Sequence, residues 1–152
     1  MKNGFIKALI NILALCVVII VVSSYFIYHA QYIGPVILIL GLLCLVSLIP
    51  FKVQIKNIWP DIVFGLIDNG ILAVMAIFGG EIGGVIGAVI GGVVGNAVTD
   101  GIAGIFEGYI SEHVKIPNVD HKRTMLGSSV GKMSGCLLSA GIVLIVVNFF
   151  KL

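Results

Sequence analysis

Five long apolar runs, separated by short connections and two polar stretches, dominate this chain and leave it few ways to fold. They cover approximately 6–28, 33–51, 62–79, 82–106 and 125–150. Each is close to the roughly 20 apolar residues that an α-helix needs to cross a bilayer. The runs are continuous rather than alternating, so they read as helices and not as barrel strands. In hydrocarbon every backbone polar group needs an internal partner, and a helix supplies its own. Composition excludes a water-soluble alternative: 59% of the 152 residues are hydrophobic and 11% are charged, against about 25% charged in ordinary soluble domains. The expected fold is all-α, a polytopic transmembrane bundle forming one domain over 1–152. The lipid bilayer is its first partner and the cell membrane its expected location.

The basic residues orient the bundle. With the N-terminus cytoplasmic, the inner segments hold Lys2, Lys7, Lys52, Lys56, Lys115, Lys122 and Arg123, and the outer side keeps only Lys151. That agrees with the excess of Lys and Arg on cytoplasmic loops. Tyr25, Tyr28 and Tyr32 then mark the outer interface, with Trp59 and Tyr109 at the inner one. Reading Gly70–Thr99 as one long helix gives four spans, but moves Lys115, Lys122 and Arg123 outside and spoils the pattern. The beginning of the chain, from Met1 to Val22, has the outline of a secretory signal. However, its apolar run continues to Tyr28 without a small-residue cleavage site, so it reads as a retained first span. A tight turn is expected at Gly79-Gly80-Glu81, and a cytoplasmic loop over 107–124.

Small residues recur every fourth position in spans four and five. One row is Gly83, Gly87, Gly91 and Gly95. A second runs through Gly80, Gly84, Ala88, Gly92, Asn96, Asp100, Gly104 and Gly108. Span five carries Gly127, Gly131, Gly135 and Ser139. Lipid tails are as apolar as leucine, so helix association in a bilayer relies on close backbone approach, which such rows permit. Glycine-zipper packing of both spans is expected, within the chain or in a homo-oligomer.

Ionisable groups within spans cost about 2.5–3.5 kcal/mol at a helix centre and are functional candidates for that reason. Asp68 and Lys132 each lie about seven residues into an outward-running span, roughly 10 Å from the inner face at 1.5 Å per residue. Asp100 falls at a similar or shallower depth in the inward-running fourth span, and Asn69, Asn96, Thr99, Ser128 and Ser129 share the slab. Two carboxylates against one ammonium favour a small cation or a proton over an anion. The expected permeation or ion-binding set is Asp68, Asn69, Asn96, Asp100 and Lys132. The expected function is a small transporter or channel subunit. The competing reading is a structural or accessory subunit of a larger membrane complex, with an Asp68–Lys132 ion pair that fixes packing and moves nothing.

Other chemistries are weakly encoded. Glu107, Glu112, His113, Asp120 and His121 have metal-ligand side chains but no tight spacing. Cys16, Cys44 and Cys136 sit inside apolar runs and form neither a disulfide framework nor a ligand set. Gly127-Ser128-Ser129-Val130-Gly131 matches the G-x-S-x-G pattern of serine hydrolases, which works only on a strained strand-to-helix turn. Here it is one rung of a glycine row. Ser129 and Lys132 form S-x-x-K, but that lysine would have to be neutral to act as a base. No enzyme and no cofactor are expected. A formal charge of +2 without a basic stripe is too small to argue for a nucleic-acid partner, and none is expected.

Overall fold

A computed structural model describes residues 2–29, 32–113 and 124–150, with side chains over 5–29, 32–105 and 124–150. Long helices account for nearly all of it. They are α1 (Lys2–His29), α2 (Ile33–Val46), α3 (Ile55–His113) and α4 (Met125–Phe150), with a single 3-10 turn at Ile49–Phe51 after α2. All four apolar segments are long enough and apolar enough to cross a membrane. Their outer surfaces fit that solvent: Ile82, Val85, Ile86 and Phe149 are at least 74% exposed. In water such an unbroken apolar surface would drive aggregation. The chain is a helical membrane protein.

α3 consists of two helical arms joined at a kink. Gly83 (φ −126°, ψ 15°) and Gly84 (φ 58°, ψ −141°) leave helical geometry, and beyond them the chain returns along its own path. Only glycine adopts the Gly84 conformation cheaply. We call the segment before this reversal arm one, the segment after it arm two, and the reversal itself the tip. The reversal, at Gly83 and Gly84, begins two residues beyond the end of the expected Gly79-Gly80-Glu81 turn. Gly79 and Gly80 remain helical, and Gly79 serves instead as a contact point. A Cβ on Gly79 would run into the Gly87 carbonyl, one on Gly91 into the Met75 carbonyl, and one on Gly95 would lie 3.0 Å from the Leu72 Cα.

The start of α3 is also earlier than the apolar run implied. Trp59, Pro60 and Asp61, read from sequence as the end of a polar connection and its border, belong to the helix. Pro60 falls within the first two turns, where its missing N–H removes one hydrogen bond, to the Lys56 carbonyl, and the helix survives. At the other end α3 continues to His113, so part of the expected 107–124 loop is helical.

α4 is the middle of the bundle. α2 runs antiparallel to it: Gly34 lies against Ile145, Gly141 against Leu38 and Gly41 against Leu138. Ser134, fully buried, donates from Oγ to the Gly41 carbonyl at 2.9 Å. Arm one runs parallel to α4 on its other side, with Gly127 against Ile58 and Gly135 against Ile62 and Gly65. α1 leans on the group more lightly, through an Asn11 Nδ2 to Ser47 Oγ contact of 3.4 Å. The buried cluster of Ala8, Leu15, Cys44, Leu48, Ile58, Leu126 and Val130 sits where all these helices meet, at the base of the bundle opposite the tip.

Candidate functional site

Polar side chains are few, so each can be followed to its partner. Nearest the base, Asp61 is 1% exposed. The Ser128 hydroxyl donates to its Oδ1 at 2.7 Å, tying arm one to the first turn of α4. Gly131 makes room: a Cβ there would be 3.1 Å from the Asp61 Cβ. A carboxylate this deeply buried requires hydrogen-bonding company, and the helix contact is arranged to provide it.

Asp68 lies seven residues further along arm one, roughly 10 Å up the helix at 1.5 Å per residue. It is half-buried. Its Oδ1 accepts a hydrogen bond from the Thr99 hydroxyl across the hairpin. That hydroxyl also lies 3.2 Å from the Gly95 carbonyl and 3.0 Å from the Asn96 carbonyl of its own helix. It has one proton to give and therefore a choice of acceptors. Asp68 and Thr99 are the polar members of a cavity of about 260 Å³ whose other walls are Phe64, Ile67, Ile71, Ile102 and Ala103.

The remaining expected site residues separate. Asn69 turns to α4 and donates from Nδ2 to the Cys136 carbonyl at 3.1 Å, a packing contact. Lys132 is exposed, and its ammonium lies over the Phe64 ring at 4.8 Å from the centroid, within cation–π range. Its stem lines a second groove, of about 380 Å³, with Cys16, Ile19, Met133 and Cys136. No ion pair joins Asp68 to Lys132 among the described residues; the Lys132 ammonium lies over the Phe64 ring instead. Asn96 and Asp100 meet on arm two, Nδ2 to Oδ2 at 2.8 Å, with Asp100 exposed. Asp68 and Thr99 thus converge, Lys132 approaches through Phe64, and Asp100 with Asn96 forms a separate strip one residue beyond Thr99.

In the sequence Asp61 directly follows Pro60, at the border of the apolar run, and does not stand out as an intramembrane carboxylate. The spacing carried a signal: seven residues before Asp68 on one helix puts both carboxylates close to one face. The weak metal candidates Glu107, Glu112, His113, Asp120 and His121 have side chains outside the described set. Among the described residues no three His, Cys, Asp or Glu side chains gather as a metal site. The cysteines are free thiols.

No family model, curated protein or solved structure matches this chain.

Proposed function

We propose that this chain is a small multi-pass subunit of a transporter or channel in the cell membrane, carrying protons or a small cation, with Asp68 as the group that holds the charge. In this reading α3 contributes two spans, the N-terminus is cytoplasmic, and the base of the bundle faces the cytoplasm, for a total of five crossings. The observation that carries the proposal is the setting of Asp68: a carboxylate well inside an apolar helix, beside a cavity, held by a neutral hydroxyl and not by a lysine. A carboxylate already neutralised by an ammonium has no need of a cation. One held by a single neutral donor can still take up a proton or a cation. Thr99 orients it, and Lys132, displaced onto Phe64, is a nearby positive charge that limits how tightly a second one is held.

The test is flux into liposomes reconstituted with purified protein, comparing wild type with Asp68→Asn. The amide keeps the size and the hydrogen bond from Thr99 but cannot hold a transported charge. Flux is expected to fall to the level of empty liposomes; unchanged flux removes the proposed site.

A scaffold subunit is the second reading, and a specific observation favours it: the cavity at Asp68 is walled mainly by apolar side chains, and Asn69 and Ser134 are spent on closing helix contacts. Purification in mild detergent separates the two. A scaffold retains stoichiometric partner subunits and shows no flux alone.

A further inference from the structure

We infer that the face of arm two carrying Ala97, Asp100, Gly101 and Gly104 docks a second copy of this chain. At 100° per residue these four positions lie within about one third of the helix circumference. They point away from arm one, which is met by Gly87, Gly91 and Gly95 on the other side. A Cβ added to Gly101 or Gly104 meets nothing within 4 Å, and Ala97 and Asp100 are both exposed. One half of the helix thus has its small residues packed against backbone, and the other has equally small residues packed against nothing.

Asp100 makes that open face unsuited to lipid. It lies one residue from Thr99, at the level of Asp68, and a carboxylate left to hydrocarbon costs about 2.5–3.5 kcal/mol at a helix centre. Its neighbour Asn96 satisfies one oxygen. An amide has two N–H groups, and among the described residues the Asn96 amide uses one. The pair therefore offers a donor and an acceptor side by side at one depth. A purely acidic strip would call for a basic partner, but a strip with both functions is complementary to itself. Copies of one chain insert in one orientation, so a closed pair has its two-fold axis along the membrane normal and equal residues meet at equal depth. Asn96 of one copy then reaches Asp100 of the other, and Gly101 and Gly104 let the backbones come close enough. The two Asp100 carboxylates also come near each other, and that like-charge proximity weakens the pair unless a proton or cation lies between them. None of this depends on Asp68 carrying charge.

The experiment counts copies by single-molecule photobleaching of the full-length labelled protein in liposomes at increasing lipid dilution. Wild type is expected to dimerise. Gly101→Leu with Gly104→Leu is expected to raise the dissociation constant about tenfold or more, equivalent to 1.4 kcal/mol. Compared at dilutions where both are single copies, its thermal unfolding should not fall below the wild-type temperature, because a single copy has open space at both positions. Asp100→Asn, which relieves the repulsion and keeps the hydrogen-bonding shape, is expected to associate more tightly than wild type. Single copies at every dilution would assign the face to a different membrane protein and overturn the inference. So would leucine variants that pair like wild type, or an Asp100→Asn variant that pairs more weakly.

Discussion

The two arms of α3 use the same residue types to opposite ends. Arm one meets α4 through a seam in which Gly65, Gly131 and Gly135 bring backbones together and Asp61 is sealed against Ser128. Arm two touches arm one along the row of Gly87, Gly91 and Gly95 and through Thr99, and leaves its far side open, including Asp100, Gly101 and Gly104. A glycine or an aspartate in a membrane helix therefore has no fixed meaning. A glycine with a carbonyl against it holds the fold, and one facing open space is available for a partner. A carboxylate with a close-packed donor ties helices together, and one beside a cavity is the candidate for holding a transported charge.

This contrast can be broken by substitution, and the largest effect is expected in the seam. Gly135→Leu drives a side chain into the Ile62 carbonyl and the Gly65 Cα. Overpacking of this kind costs about 1–3 kcal/mol or more, and here it meets backbone that has nowhere to go. Thermal unfolding in detergent should drop sharply or show no cooperative transition.

Ser128→Ala comes next. It leaves the buried Asp61 carboxylate short of a donor, and the loss of a hydrogen bond to a charged group costs about 1.5–3 kcal/mol. Chemical unfolding should show a loss in that range; a loss near zero would mean that the seam does not depend on this contact. Asn69→Leu removes the neutral bond to the Cys136 carbonyl and should cost about 0.5–1.5 kcal/mol by the same assay.

The smallest effect belongs to the open face. Gly104→Ala removes the conformational freedom of a mid-helix glycine, worth roughly 0.5–1 kcal/mol in favour of alanine. The variant should be as stable as wild type or slightly more so. A Gly104→Ala variant destabilised even at dilutions where the protein is a single copy would show that something already packs there within one copy.

Much of this architecture can be read from the residues alone, because apolar runs of membrane length leave little choice of secondary structure. Gly87, Gly91, Gly127 and Gly135 announce close approach by their spacing. What the residues conceal is which of several glycines departs from the helix. Gly79, Gly80, Gly83 and Gly84 are alike in sequence, and the reversal falls at Gly84 because the packing of Gly79 on Gly87 fixes the register of the two arms. The candidate site was readable in part. Asp68 stands out by its apolar flanks, but its partner Thr99 is 31 residues away, and nothing in the sequence says that the Lys132 ammonium lies over Phe64. Asp61 was hidden by Pro60, because a proline inside a helix removes a hydrogen bond and so reads as a boundary.

The division of labour between the two carboxylates of arm one is tested most directly by measuring flux and unfolding on the same preparations of Asp61→Asn and Asp68→Asn. Asp68→Asn should unfold at the wild-type midpoint and carry no flux. Asp61→Asn should unfold more easily and, where folded, carry flux at the wild-type rate per molecule. Full flux in folded Asp68→Asn, or none in folded Asp61→Asn, would contradict the account.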